Sequence, residues 1–375
     1  MGLRFIHSAD WQMGMTRHYL DDDAQSRFSA AREDVIRCIG VVAQSRNAAF
    51  VVVAGDVFET NLLRPRTVKR TLDAMAAVPV PVYLLPGNHD PLGPGSIYAG
   101  AAFRAHVPDN VRVLDASEPV VVGGEAELVG IPWTAKRMTE DRVGVYLRDA
   151  PMLHAPYRVM VAHGATEGYG GDGIPIDLVA VEAAIRRGAL HYLALGDRHS
   201  TTNVGSTGRV WYAGAPEPTD YRETDPGNVL VVDLDREAIT VERVAVAAWR
   251  FSDQMLDVEA GRAAAKVQAF LDGFHDKART IVKLNLRGTI DWTDDAAVRR
   301  LVHEDREVFG AIERPEHHDE LAVMRGANAF GDLDLSGYAR DALDRLLTGA
   351  ERAEGPSAIL YRDALALYYR LAREV

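Results

Sequence analysis

The sequence predicts an α/β fold, and three observations support that prediction. Six short runs rich in Val, Ile and Leu have the composition of buried strands. Helical patterns, with apolar residues at steps of three or four, lie between them, as in Phe28 to Val42 and Leu178 to Arg187. Polar side chains follow the ends of several runs, where ligands bind in open α/β sheets. The predicted strands are Arg4 to Ser8, Phe50 to Ala54, Val80 to Leu85, Val111 to Leu114, Arg158 to Ala162 and His191 to Leu195.

The chain of 375 residues is long enough for two domains, and its pattern changes near residue 250. We expect a first domain over 1–250 and a small α/β cap domain over 251–330, in which a helix, a strand and a helix follow one another. A helical tail is expected over 331–375. Its two amphipathic patterns either pack on their own domain or dock on a partner.

The composition bounds the class of protein. Hydrophobic residues make up 47% and charged residues 26%, which is ordinary for a globular chain. The single cysteine, Cys38, excludes an internal disulfide and a Cys-cluster zinc site, and fits a reducing compartment. The sequence contains no spanning apolar run and no signal-peptide pattern, so we expect a cytoplasmic protein without a membrane partner. A net charge of -12 disfavours binding of a polyanion over the whole surface but allows a local basic groove.

Five polar stretches end the strand-like runs in the same way. Because the carboxyl ends of parallel strands meet at one edge of a sheet, residues distant in sequence converge there. Glycines before Asp56, Asn88 and Asp197 let the chain turn sharply and bring a ligand close to the backbone. The converging residues are Asp10, Gln12, Asp56, Asn88, His89, Asp90, His163, Asp197 and His199.

The residue types at this edge indicate metal chemistry. Carboxylates, an amide oxygen and imidazoles without thiolates suit Mn, Fe, Zn or Mg. Two hard cations roughly 4 Å apart, bridged by one carboxylate, form a clamp for in-line attack at phosphorus. The sequence therefore predicts a site for phosphoester hydrolysis with divalent metal ions.

The strings that carry these residues resemble those of a known family. "HSADWQMG", "GDVFETN", "LPGNHDP", "VAHG", "HYLALGDRH" and "YAGAPEPTDYRE" are similar to the motifs of SbcD-type DNA repair nuclease subunits, within the calcineurin-like metallophosphoesterases. The resemblance is strong over residues 3 to 235 and extends to the remainder only in layout. It implies a four-layer α/β/β/α sandwich, two divalent ions (most simply Mn²⁺, with Mg²⁺ also compatible), DNA as substrate and an SbcC-type coiled-coil ATPase as partner.

The resemblance also implies a role for each metal-site residue. Asp10 and His199 would hold one metal ion, and Asn88 and His163 the other. Asp56 would bridge the two ions. The family's pattern thus assigns five ligands to this chain by position.

Two further residues receive roles from the same motif, and three positions depart from the pattern. His89 matches the family's catalytic histidine, and Asp90 would orient its ring. Gln12 and Asp197 stand where the family has histidines, and Glu59 where these nucleases often have one. Gln12 either binds metal directly or only holds a water on it, whereas Asp197 adds an anionic ligand. The site is thus expected to be richer in oxygen, favouring Mn or Mg over Zn.

Two other functions stay open from the sequence. One is a metallophosphodiesterase or phosphatase for small substrates, because a fold does not fix its substrate. The other is a regulatory or scaffold subunit whose replaced ligands have impaired catalysis. The cap and tail favour the nuclease, whereas the net acidity and the replaced ligands favour the rivals. A homodimer is compatible with each of these functions.

Overall fold

The computed structural model describes residues 2–166, 174–235, 238–314, 320–324, 335–353 and scattered positions from 357 to 372. Two compact units divide the chain, Met1–Trp249 and Arg250–Val375. Much of the amphipathic pattern expected from 357 to 375 lies outside the described residues. In the described part of the chain, no helix is both long and apolar enough to cross a membrane.

The first unit alternates strands and helices. Its helices are α1 (Asp22–Ser45), α2 (Pro65–Ala76), α3 (Ala101–His106), α4 (Arg142–Arg148) and α5 (Leu178–Arg186). Its strands are β1 (Leu3–Ser8), β2 (Val51–Val53), β3 (Val82–Leu84), β4 (Val111–Val113), β5 (Val120–Val122), β6 (Ala126–Ile131), β7 (Tyr157–His163), β8 (Tyr192–Gly196), β9 (Thr202–Val204), β10 (Val210–Tyr212), β11 (Asn228–Leu234) and β12 (Ile239–Ala245).

These strands form two six-stranded sheets. The first has the order β12-β11-β1-β2-β3-β4, and the second β5-β6-β7-β8-β10-β9. Strands β1 to β4 are parallel to one another, as are β6, β7, β8 and β10. The carboxyl ends of the central strands therefore lie together at one edge of each sheet.

Alternating side chains on each strand build three apolar layers. On β1, Phe5 lies in the core between the sheets, whereas Ile6 lies in the core that the first sheet shares with its helices. Met160 on β7 likewise packs toward α4 and α5, and Val161 toward the first sheet. All four side chains are fully buried, because successive residues of a strand point to opposite faces. The result is the expected four-layer α/β/β/α sandwich.

The second unit is a smaller α/β structure. It contains β13 (Arg250–Glu259), α6 (Ala263–Asp272), β14 (Thr280–Asp291), α7 (Trp292–Asp305), β15 (Ala311–Glu313), β16 (Glu320–Met324) and α8 (Tyr338–Arg352). The long β14 pairs in parallel with β13 on one side and with β15 and β16 on the other. The core of this unit includes Val267 on α6, Leu284 on β14 and Val298 on α7.

Candidate metal centre

Three side chains from three different strand ends form a compact cluster. Ligand atoms of Asp10, Asp56 and His163 all lie within 4.8 Å of one another, and all three residues are buried. The Nε2 atom of His163 is 3.4 Å from Oδ2 of Asp56, and its Nδ1 atom is 3.9 Å from Oδ1 of Asp10. Two carboxylates and one imidazole thus face a common point where the two sheets meet.

The backbone is held in an uncommon conformation at this cluster. Asp10, Gln12, Asp56 and Asp197 have φ values of 53°, 44°, 51° and 97°. Residues other than glycine rarely adopt a positive φ, which costs roughly 1–3 kcal/mol per residue. Asn47 is the one further such residue in the described part of the chain. The fold therefore maintains this local strain mainly where polar side chains converge.

Glycines next to these residues allow the loops to approach closely. A Cβ atom at Gly87 would lie 2.2 Å from Oδ1 of Asp56, and one at Gly55 would lie 2.1 Å from Nδ1 of His163. Neither position can carry a side chain without displacing a cluster residue. The "GD" and "GN" pairs of the sequence are thus explained by steric contact with the site.

Asn88 extends the cluster on one side. When its amide is oriented to satisfy its hydrogen bonds, the nitrogen donates to both oxygens of Asp56, at 3.0 and 3.1 Å, and to Nε2 of His163, at 2.9 Å. Turning the amide by 180° would present its oxygen to a cation at the same place. The carboxylate of Asp197 also approaches, with Oδ1 at 3.7 Å from Nε2 of His163.

Gln12 and His199 extend the cluster on the other side. Nε2 of Gln12 lies 3.3 Å from Nε2 of His199. Oε1 of Gln12 is buried and has no hydrogen-bond partner. The backbone N–H of Asp197 donates to both oxygens of Asp10, at 3.1 and 3.2 Å, which fixes that carboxylate. Gln12 and Asp197, which stand where the family has histidines, thus both lie beside the cluster.

His199 is oriented by two residues whose role was not predicted. Its Nδ1 atom lies 2.9 Å from Oε1 of Glu223 and 2.7 Å from Oγ1 of Thr219. The backbone N–H of Thr219 donates to the other oxygen of Glu223 at 2.9 Å. Because Nδ1 faces these groups, Nε2 is directed toward Gln12 and the cluster. The motif "TDYRE" contained both residues, but only the tertiary contact shows their role.

Burial and charge perturb the titration of the whole cluster. Burial raises the pKa of Asp10 to about 6, although His199 and His163 lower it. Burial also opposes the ionisation of Asp56, but His163 holds its pKa below the ordinary value. Burial lowers the pKa of His199, but its hydrogen bond to Glu223 and nearby carboxylates raise it to about 9. The cluster accordingly favours positive charge at its centre.

These observations test whether the residues fit divalent metal ions, and they do. Oε1 of Gln12 needs a partner, the crowded carboxylates of Asp10 and Asp56 need a counter-charge, and every donor is oxygen or nitrogen. In the described part of the chain, the residues that would hold metal are Asp10, Gln12, Asp56, Asn88, His163, Asp197 and His199. This set is rich in oxygen, as sites for hard divalent ions are.

His89 lies beside the cluster with its ring partly open to solvent. Its backbone N–H donates to Oδ1 of Asp56 at 2.9 Å, and Nδ1 donates to the carbonyl oxygen of Glu59 at 3.0 Å. Nε2 is 4.0 Å from Oδ2 of Asp56, and the side chain is 38% exposed. Nε2 is thus the ring atom free to meet a substrate next to the cluster.

The predicted role of Asp90 requires correction. Its carboxylate does not contact the His89 ring; it accepts from the backbone N–H of Phe58 at 3.0 Å, from that of Gly87 at 2.7 Å and from the Tyr98 hydroxyl at 2.6 Å. The side chains of His89 and Asp90 point in different directions, so Asp90 stabilises the loop and does not orient the ring. The Glu59 carbonyl takes the orienting role that was expected of Asp90.

A cleft of about 500 Å³ opens beside the cluster. Asn88, His89, His163 and Asp197 contribute to its inner wall. The cleft thus connects the candidate metal centre to solvent on the side where the His89 ring is exposed.

Part of the chain is similar to proteins of one known family. Residues 3–173 match the model of the calcineurin-like phosphoesterase family. The chain is 23% identical to the uncharacterised metallophosphoesterase YhaO of Bacillus subtilis, over 93% of this chain and 90% of that protein. It is 32% identical to the DNA double-strand break repair protein Mre11 of Archaeoglobus fulgidus over 94 residues, which are 24% of this chain and 19% of that protein.

Among solved structures, a dimetal phosphatase from Danio rerio is similar at a TM-score of 0.42 and 12% identity, over 65% of this chain and 96% of that one. The protein TT1561 of Thermus thermophilus is similar at a TM-score of 0.41 and 9% identity, over 65% of this chain and 99% of that one. Residues 3–173, which lie within the four-layer first unit, therefore match a calcineurin-like phosphoesterase domain.

Proposed function

We propose that this chain is a metal-dependent DNA nuclease subunit of the SbcD type, which hydrolyses phosphodiester bonds with two Mn²⁺ ions and acts with a coiled-coil ATPase in DNA repair. The observation that carries the proposal is the convergence of Asp10, Asp56 and His163 beside the exposed ring of His89, at the mouth of an open cleft. The similarity to Mre11 over 94 residues supports DNA as the substrate.

Bound divalent ions would polarise the phosphate and activate a water molecule for in-line attack. Asp10 and His199 would hold one ion, Asn88 and His163 the other, and Asp56 lies between the two groups of ligands. The backbone N–H of Asp197 holds both oxygens of Asp10, so the carboxylate is oriented before any ligand binds. Such prior orientation removes reorganisation from the reaction itself.

His89 would act on the leaving oxygen. Its Nδ1–H donates to the Glu59 carbonyl, which can only accept, so a second proton on the ring must reside on Nε2. That proton faces the cleft and would pass to the oxygen that departs from phosphorus. His89 is therefore proposed as the general acid, with Glu59 as its positioning residue.

The test is cleavage of linear DNA by the purified full chain with Mn²⁺, alone and with the ATPase partner. We expect Mn²⁺-dependent cleavage that the His89→Ala substitution reduces about 10²- to 10⁴-fold, the usual range for loss of a general acid. His106→Ala, which removes an exposed histidine on α3, is the matched control. Absence of DNA cleavage under both conditions would refute the proposal.

A second candidate, a phosphodiesterase for small substrates, is favoured by the net charge of -12, which opposes a long polyanion. The two candidates differ in substrate size and share the same chemistry. Brisk hydrolysis of bis(p-nitrophenyl) phosphate together with inert DNA would establish the second.

A further inference from the structure

The cleft beside the metal centre has an apolar wall that the reaction described above does not use. Ile131, Trp133 and Ile176 form buried parts of this wall, and Ile174 is half exposed within it. A volume of about 500 Å³ falls in the range of clefts that hold ligands of drug size, roughly 300–1,000 Å³. An inorganic phosphate alone would leave most of this volume and all of the apolar wall without contact.

The wall is fixed rigidly to the metal centre. Nε1 of Trp133 donates to the carbonyl oxygen of His163 at 2.7 Å, and its backbone N–H donates to the Pro86 carbonyl at 3.1 Å. The Trp133 carbonyl in turn accepts from Leu92 N–H at 2.8 Å. A group bound against Trp133 therefore keeps a defined position relative to His163.

Two positively charged side chains lie at the rim of the same cleft. Lys136 and Arg137 line it, are exposed, and have no ion pair within the described part of the chain. Of the acidic groups nearby, Asp141 is engaged as the N-cap of α4, accepting from Val143 N–H and Gly144 N–H at 3.0 Å each. Among the described residues that line the cleft, Glu59, Glu140 and Asp197 carry the other carboxylates.

We propose that this cleft is a nucleotide subsite, in which the apolar wall receives a nucleoside and Lys136 with Arg137 binds the phosphate next to the scissile one. The inference rests on the proposed nuclease function and narrows it. The cleft brings an apolar surface and two cations beside the proposed phosphate-cleaving centre, and these groups match the parts of a nucleic acid strand: phosphate, nucleoside and phosphate.

The test compares three thymidine dinucleotides that each contain one internal linkage: one without a terminal phosphate, one with a 5′ phosphate and one with a 3′ phosphate. Cleavage of the internal linkage is followed by chromatography in Mn²⁺. In the wild-type chain, one terminal phosphate should raise kcat/KM about tenfold over the unphosphorylated dinucleotide, as expected for one charge-assisted contact. Whether the 5′ or the 3′ phosphate has this effect also shows in which direction the strand lies in the cleft.

In the double variant Lys136→Ala/Arg137→Ala, that ratio should fall to about one. The double variant Arg66→Ala/Lys69→Ala, which removes the same charge from the exposed face of α2, should retain the wild-type ratio. Cleavage of all three dinucleotides without any effect of a terminal phosphate, or an unchanged ratio in the first variant, would overturn the subsite while leaving the nuclease intact. Cleavage of linear DNA with no dinucleotide cleaved would likewise overturn the subsite. Hydrolysis of bis(p-nitrophenyl) phosphate with neither the dinucleotides nor linear DNA cleaved would instead overturn the nuclease itself.

Discussion

Removing the charge of Glu223 should weaken metal binding although Glu223 is not one of the candidate metal ligands. Its Oε1 atom lies 2.9 Å from Nδ1 of His199 and its Oε2 atom accepts from Thr219 N–H at 2.9 Å. A Glu223→Gln side chain keeps the shape but has one accepting oxygen in place of two and no charge. Carboxylates that orient a ligating histidine are worth about 10–100-fold in metal affinity, which is about 1.4–2.7 kcal/mol. We expect a loss of that size for Mn²⁺.

The same substitution should also change the titration of His199 in the metal-free protein. Burial lowers the pKa of this ring, but the hydrogen bond to Glu223 is the foremost of the contacts that raise it, to about 9 from an ordinary 6.5. This shift corresponds to about 3 kcal/mol of stability, present below pH 6.5 and lost as the pH rises through about 9. Glu223→Gln should lower the pKa of His199, and less stability should then be lost between pH 6.5 and about 9.

The assay is calorimetric titration of Mn²⁺ into wild type and Glu223→Gln, with NMR titration of His199 in the metal-free proteins. Glu242→Gln, which neutralises an exposed carboxylate paired with Arg46, is the matched control. We expect the control to bind Mn²⁺ like wild type. Unchanged affinity together with an unchanged pKa of His199 in Glu223→Gln would refute the positioning role.

Three further predictions concern the same centre. Asp56→Asn should lose metal and turnover together, whereas His89→Ala should keep metal and lose turnover. Metal analysis and phosphodiester assays measure the two properties. Full metal-dependent turnover in both variants would reject these roles. Gln12→His should strengthen binding of Zn²⁺ without abolishing that of Mn²⁺, because imidazole suits Zn²⁺ better than an amide oxygen does; unchanged calorimetric affinity for Zn²⁺ would mean that residue 12 does not face the metal. Affinity for Mn²⁺ should rise with pH until about pH 9, where His199 loses its proton, and should be weaker still below about pH 6, where Asp10 gains one. An affinity that calorimetry finds independent of pH would contradict this.

The central strands were predictable because both of their faces are buried. Runs such as Phe50 to Ala54 are continuously apolar, and the structure places β2 within that run. Strands β5, β6, β9, β10 and β11 were not predicted. The sequence of β6 includes the charged residue Glu127. Its buried carboxylate is paired with Arg158 on β7, and no local sequence pattern reveals this tertiary contact.

The candidate site was predictable to the extent that it depends on strand ends. Asp10, Asp56 and His163 converge because parallel strands bring their carboxyl ends together. The partners of Asp90 and His199 were not predictable, because they depend on how loops turn after the strands end. Asp90 faces Tyr98, eight residues away, rather than its neighbour His89, and Glu223 reaches His199 from another loop.

The number of metal ions that this centre binds distinguishes a two-metal hydrolase from a scaffold. Anomalous diffraction from crystals of the full chain soaked in Mn²⁺ measures their number and positions. We predict two peaks about 3.5–4 Å apart on either side of Asp56, the spacing typical of two-metal hydrolases. A single peak, or none within reach of Asp10, Asp56 and His163, would contradict the two-metal account and favour a scaffold whose replaced ligands have abolished catalysis.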